Sequence, residues 1–426
     1  MLAGNARTAT TAEAIIRPIG SVAAGVSDMP KPRDTAPGPT HDLDLDLEVV
    51  TTRAAFNALE AEWNALFDRA GRSIHVFQTF NWCWHWCAAF LTEDASKLFV
   101  VTARRQGRLV LILPLVREHS FGLTRLAFLG EPVTQYGDAL VDVLADSASI
   151  LATAWRFAIE RSGADCVHLR RVRADANLAP LLAASGARIS EKLAAPYLDL
   201  ASAANFDAYE QRYSSKARKN RRRLLRRFEE RAPATLETLL SGTRARELAE
   251  LAILLKRAWL KDRGLVSPAL TDPRTRTFFA NVAEAKVRPA GCRVTSLETR
   301  GESTAIEIAF DCKGRRAVHV IVFALKYERA SPGQLLIERS IRNCFDIGVG
   351  TYDLMTPADA YKLDWADGAT EVNDWTLACT ARGRIYADLY LARLRPQLKR
   401  AVNTATQRLR RLRGRRGNND SATDGD

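Results

Sequence analysis

The stretch Tyr327-Glu328-Arg329-Ala330-Ser331-Pro332-Gly333-Gln334-Leu335-Leu336 decides how the rest of this chain is read. Ser331 is a good helix N-cap. Pro332 suits the first helical position, where a missing N–H costs little, and Gln334 completes a capping-box spacing. Ile337, Ile341, Cys344 and Phe345 then fall on one face of the helix that follows. Just upstream, Ala317–Ala324 reads as a β-strand. A strand therefore ends, a short loop turns, and a helix begins with free amides, an arrangement that attracts phosphate. Gly333 lets another group approach the backbone closely. An ordinary well-capped helix start explains the same ten residues, so the flanking sequence carries the decision.

Downstream, Thr351-Tyr352-Asp353-Leu354-Met355 reads as a buried strand, followed by Tyr361-Lys362-Leu363-Asp364-Trp365. A carboxylate in a buried strand needs a partner, or its pKa rises. Tuned in that way, Asp353 suits a general base for amine acylation; pairing with a nearby arginine is the structural alternative. Lys362 is either a point charge for phosphate or carboxylate or a solvated surface lysine.

Upstream, the chain reads as two passes of one plan. In the first, Leu98–Ala103 and Leu109–Val116 are β-rich runs joined at Gln106-Gly107, with a helix near Ala148–Arg161 and a strand at Cys166–Leu169. In the second, strands are expected at Cys292–Leu297, Thr304–Phe310 and Ala317–Ala324. A helix over Pro332–Ile347 and strands at Tyr352–Met355 and Asp374–Thr380 follow. Hairpins followed by a crossover helix and another strand predict mixed α/β sheets with flanking helices. Helices are expected over 206–231 and 244–263. The predicted organisation is a disordered arm at 1–45, one domain at 46–200, a second at 201–385, and a basic helical tail at 386–426.

The chain has 426 residues, 47% of them apolar, enough for two or three domains with a core. Its net charge of +13 is local. Residues 212–227 carry nine basic side chains and 391–416 carry ten, neither run holding an acid; outside them 43 basic residues face 49 acidic ones. Scattered cysteines, odd in number, predict reduced thiols in a cytoplasmic protein. No apolar run suggests a membrane span or a secretory signal.

The order strand, Tyr-x-x-x-Ser-Pro-Gly-x-Leu-Leu helix, Tyr-Asp-Leu strand and Tyr-Lys-x-x-Trp resembles the cellulose-biosynthesis-type (CelD/BcsL-like) acetyltransferases of the GNAT superfamily. Phe77-Gln78-Thr79-Phe80-Asn81-Trp82 and Ser215-Lys216-Ala217-Arg218-Lys219-Asn220 also look like that family, so the resemblance spans about residues 46–390. It implies two tandem GNAT-like domains, similar to Fem-type aminoacyl transferases, with acyl-CoA as donor. The CoA pyrophosphate would then lie against Arg329, Ser331, Gly333, Gln334 and Leu335. The usual GNAT loop has a second small residue after its first glycine, which this one lacks, and Pro332 removes a donor. The family's acceptor-side pattern finds counterparts in Asp359, Tyr361 and Lys362, with Pro357 or Ala358 where the family has glycine. The first half has no comparable loop, which leaves it a structural or acceptor-binding partner.

Direct attack of an amine on the thioester follows as the expected chemistry. A backbone amide near Val322–Ala324 would polarise the carbonyl, Asp353 or a water it orders would take the proton, and Tyr361 would protonate the thiolate. Cys83, His85 and Cys87 sit among Trp82, Trp84 and Trp86 and read as a packed helix start, so no metal site is expected. His319 reads as a core or pocket-lining residue. The basic helix suits an anionic ligand (the 3′-phosphate of CoA, an anionic sugar nucleotide or a membrane surface), and the basic tail suits either anionic lipid at the inner face of the membrane or a solvated terminal helix. Three functions follow: an acyl-CoA-dependent N-acyltransferase acting on an amine, such as an amino sugar of a surface polysaccharide; a Fem-like transferase using charged tRNA; and a non-catalytic membrane scaffold.

Overall fold

The computed structural model describes residues 44–394 except 92–95, 121, 231–232 and 287–289, together with 397. The expectations for the N-terminal arm up to residue 43 and for nearly all of the tail beyond Leu394 lie outside the described residues.

Thirteen strands form a single sheet: β1 (Asp46–Val50), β2 (Ser96–Arg105), β3 (Arg108–Ser120), β4 (Leu123–Phe128), β5 (Leu140–Val141), β6 (Cys166–Arg173), β7 (Arg188–Asp199), β8 (Ala234–Leu239), β9 (Gly291–Thr299), β10 (Glu302–Cys312), β11 (Arg315–Phe323), β12 (Thr351–Asp353) and β13 (Gly368–Ala378). Their spatial order is β1-β2-β3-β4-β6-β13-β7-β12-β11-β10-β9-β8, with β5 beside β3. The order is palindromic about the antiparallel β13–β7 pair. On one side β4 runs parallel to β6 across the helix Ser147–Ser162; on the other β11 runs parallel to β12 across the helix Pro332–Asp346. The two passes read from sequence are these two arms.

The two sheets expected for the two passes join into one, because each arm lends its last strand to the other. Strand β7 pairs with β12, and β13 pairs with β6. Pro196 within β7 lies one position past the last rung of the β12 ladder, Asp353 opposite Tyr197. Its carbonyl still accepts from Leu354 N–H at 2.9 Å, so only one bond is lost where β12 leaves the sheet.

Helices cover both faces. On one, the helices Glu60–Ala70, Phe80–Phe90, Thr243–Asp262 and Pro273–Glu284 share a core that includes Trp63, Trp82, Ala249, Phe278 and Val282 and crosses both arms. Trp82 meets Phe278 and Phe310 edge-on at 4.8 and 5.2 Å, contacts worth about 0.5–1.5 kcal/mol each beyond their buried area. On the other face each crossover helix has its own core. Ile150, Ala154 and Trp155 serve the first, and Leu336, Ile337, Ile341 and Cys344 the second. The helix expected over 206–231 is broken: Phe206–Glu210 ends, and Ser214, accepting from Ala217 N–H, caps a new helix at Ser215–Glu229. No helix among the described residues is long and apolar enough to cross a membrane.

Candidate active site

The opening between β11 and β12 organises the site. These strands pair only over Arg315–Ala317 and Thr351–Asp353, and β11 then runs on to Phe323 without a neighbour on that side. Along the β10–β11 ladder, Ala324 N–H donates to Thr304 at 2.9 Å, so by antiparallel alternation Val322 also faces β10. The main-chain groups of Ile321 and Phe323 therefore face the opening. Of the amides near Val322–Ala324 expected to polarise a carbonyl, Phe323 is the one so aimed.

The segment 324–331 follows β11 directly at the mouth of this opening and leads into Pro332–Asp346. Pro332 takes the first helical position as expected. The capping box does not form: Ser331 adopts a left-handed conformation (φ 53°), its side chain makes no cap hydrogen bond, and its carbonyl accepts from Gln334 N–H at 3.1 Å. With Pro332 lacking a donor and Gln334 engaged, Gly333 is the first-turn amide left for a ligand. A Cβ on Gly333 would stand 3.3 Å from the Phe323 ring, so the glycine sets how closely helix and strand approach. Leu335 is core, while Arg329 and Gln334 are exposed at the rim. Beside them, Leu224, Leu225 and Phe228 anchor the basic helix onto Leu335 and Leu336, leaving Lys216, Lys219, Arg222, Arg223, Arg226 and Arg227 exposed. Arg221 is buried, its guanidinium 4.0 Å from the Tyr213 ring and 4.6 Å from Trp365.

Asp353 is fully buried and its oxygens are taken. One accepts from Tyr136 Oη (2.8 Å) and Met355 N–H (2.9 Å); the other faces Arg315 (2.9 Å) and Arg173 (3.4 Å). This is the pairing with arginine that the sequence offered as the alternative to a general base, and it leaves both oxygens of Asp353 occupied. Through its bond to Met355 N–H, Asp353 also holds Met355 in a left-handed conformation (φ 54°). The Met355 carbonyl then accepts from Lys362 Nζ at 3.1 Å. Lys362 is not a solvated surface lysine. It is 8% exposed, and burial pushes its pKa down to about 8, with Asp359 opposing and Lys256 adding to the shift. Tyr361 lies at the rim, 36% exposed; desolvation first, then Asp359 and Glu307, raises its pKa and keeps it protonated.

Several residues were not singled out as functional by the sequence. Lys256, from the helix Thr243–Asp262, donates to the inward-facing Ile321 carbonyl at 3.2 Å. His319 is the extra residue of a β-bulge, since Ile308 pairs with Val320 and Ala309 with Val318. Its Nε2 lies 2.6 Å from the Val133 carbonyl and must carry the proton; Nδ1 keeps its lone pair, buried and with no hydrogen-bond partner among the described residues. Burial, helped by Arg171 and Lys362, lowers its pKa to about 4, so the ring is neutral at neutral pH. Arg171 enters from the first arm in a left-handed conformation (φ 60°). Of these residues only His319 was weighed from the sequence, as a core or pocket-lining histidine within an apolar strand; the bulge that carries it was not foreseen.

Among the described residues the first arm has no matching mouth. Residues 129–146 separate β4 from its crossover helix, against 324–331 in the second arm. A cavity of about 260 Å³ there is lined by Glu118, Arg125, Glu131 and Arg170 and covered by Tyr386 and Tyr390. Cys83 and Cys87 are buried in the helix Phe80–Phe90, their thiols pushed up by burial, Cys87 to about 12.

Residues 215–363 match a family model described as an acetyltransferase (GNAT) domain. Among solved structures, the chain is similar to FemX, at 10% identity and a TM-score of 0.55, covering 78% of this chain and 98% of that one. It is similar as well to a conserved protein of unknown function from Bacteroides thetaiotaomicron (11%, 0.50, 78% and 100%). A third is a tandem GNAT protein from the clavulanic acid biosynthesis pathway (16%, 0.40, 78% and 98%). No curated protein matches the chain. The fold is mixed α/β, and the match to the acetyltransferase (GNAT) domain model falls on the second arm.

Proposed function

We propose that this GNAT domain is an acyl-CoA-dependent N-acyltransferase with its reaction centre in the opening between β11 and β12. The observation that carries the reading is the unpaired edge of β11 at Phe323, lying against Gly333 at the start of the crossover helix. A thioester laid there meets the Phe323 amide at its carbonyl oxygen, while Gly333, Ser331, Gln334 and Arg329 border the pantetheine and pyrophosphate. The acceptor amine enters from the face of the helix Thr243–Asp262. Its nitrogen attacks the carbonyl carbon, His319 Nδ1 takes the amine proton, the C–S bond breaks, and Tyr361 returns a proton to the leaving thiolate.

His319→Ala tests the step. Release of free thiol from acetyl-CoA with an amine acceptor should fall about 10²–10⁴-fold, with acetyl-CoA affinity unchanged. Full turnover in the variant removes His319 as the base.

The resemblance to cellulose-biosynthesis-type acetyltransferases supports an amino sugar or surface-polysaccharide precursor as acceptor. A Fem-like donor, aminoacyl-tRNA, is favoured by the exposed basic helix beside the mouth. Peripheral placement on an anionic membrane is supported by exposed Ile385, Leu389 and Tyr390 ahead of the basic run at 391–416 and by exposed Leu394 near its start. The scaffold reading keeps this lipid contact and predicts no thiol release.

A further inference from the structure

Three cationic side chains converge on the acceptor side of the opening from three directions. Lys256 comes from a helix of the second arm, Lys362 from the segment after β12, and Arg171 from β6 of the first arm. Each is held by a main-chain carbonyl: Ile321 at 3.2 Å, Met355 at 3.1 Å and Thr134 at 2.9 Å. Among the described residues, none of the three has a carboxylate within 4 Å of its side-chain nitrogens. Nε of Arg171 is buried and has no hydrogen-bond partner among the described residues. The neighbouring acids are engaged elsewhere, Glu131 by Arg125 and Arg170, each at 3.8 Å. Asp353 is taken by Arg173 and Arg315, and Asp374 by Arg170 and the Arg171 backbone N–H. Asp359 alone remains near the lysines, exposed at the rim.

This arrangement is held at a cost. Arg171 and Met355 both sit in the left-handed region, which costs a non-glycine residue about 1–2 kcal/mol. A buried aspartate pins each: Asp374 accepts from Arg171 N–H at 2.8 Å, and Asp353 from Met355 N–H at 2.9 Å. Strain retained in two corresponding places, each aiming a cation or the carbonyl that anchors one, marks a constructed site. Unpaired cations in partly desolvated surroundings are unfavourable unless an anion joins them.

We infer that the acceptor carries an anionic group, a carboxylate or a phosphate, beside its amine, and that Lys256, Lys362 and Arg171 bind it. This deepens the acyltransferase reading and rests on it for the word acceptor; the anion site itself stands on the three cations. The site selects amines by charge. An amino acid or a phosphorylated or nucleotide-linked amino sugar is accepted, and a neutral amino sugar is not.

The test is thermal unfolding of the full chain in sodium phosphate or sodium acetate against sodium chloride at matched ionic strength, for the wild type and for Lys256→Gln, Lys362→Met and Arg171→Gln. Calorimetric titration with acetyl-CoA runs beside it as a check that each variant is folded. Phosphate or acetate should raise the wild-type Tm above its value in chloride, and each substitution should at least halve the rise. The ion that protects more identifies phosphate or carboxylate as the recognised group. No rise in the wild type, or the same rise in all folded variants, overturns the site. Acetyl-CoA binding without ion protection removes this inference and leaves the acyltransferase; ion protection without acetyl-CoA binding does the reverse.

Discussion

At the scale of single residues, burial separates groups that hold the site from groups that react in it. Asp353→Asn leaves two guanidiniums facing a neutral amide in the interior, and removing one partner of a buried pair costs about 3–5 kcal/mol. Chemical denaturation should show a loss of that size; a variant of wild-type stability that has lost turnover would restore Asp353 as the base. His85 and His319 each have a folded-state pKa of about 4, lowered first by burial. Between that value and an unfolded value of about 6.5 the unfolded chain binds more protons. Stability should therefore fall as the pH is lowered from 6.5 towards 4, and His319→Phe should flatten part of that slope. Lys362 works the other way for a ligand. Its ammonium, held at about 8, is lost as the pH rises, so affinity for an anionic acceptor should decline above pH 8. The sequence marked Lys362 and Asp353 as residues of interest, but not their roles. A buried-strand aspartate looks the same on paper whether it is a base or a counter-ion, because its partners Tyr136 and Arg173 lie 217 and 180 positions away.

Among the elements, local signals were legible where pattern and burial agree. The helix Pro332–Asp346 is announced by Pro332 and its apolar face, and the hairpin β2–β3 by Gln106-Gly107, both with positive φ. Strand β7 gave no such signal: Arg188, Glu191 and Lys192 interrupt it, and Pro196 argues against a central position. Only its place between β12 and β13 makes it central. The cap at Ser331 misled for a related reason, since the side chain was read as an N-cap and the backbone instead turns left-handed. The basic helix divides into an anchor and a charged face. Phe228→Ala, at a position 4% exposed against Leu335 and Leu336, should cost about 3–5 kcal/mol of stability. Lys219→Glu with Arg223→Glu should leave stability unchanged and weaken acetyl-CoA binding about tenfold at low salt, an effect that salt screens. Equal affinity at low salt would detach this helix from the donor.

On the scale of the whole molecule, the exchanged strands make the two arms one folding unit. Lys313, in the β10–β11 turn, adds to this by donating to the Phe67, Asp68 and Gly71 carbonyls at the end of a first-arm helix, at 2.9, 3.0 and 2.6 Å. The chain over 44–394 should melt in one transition, and a chain ending before Gly368, which lacks β13, should lose the first arm as well as the second. Two separate transitions would show that the shared pair is not needed for either arm. The sequence announced the two passes, but their fusion depends on pairings between residues as distant as Val167 and Leu377, which no local pattern encodes.

On the proposed function, an acyl-CoA donor lies in the opening between β11 and β12, against Gly333. Calorimetric titration with acetyl-CoA, for the wild type and Gly333→Glu, addresses it most directly. The wild type should bind saturably and a folded variant should not, because the new side chain puts bulk and negative charge beside Phe323. No binding of acetyl-CoA or of longer acyl-CoAs by the wild type, or equal binding by both proteins, would contradict it.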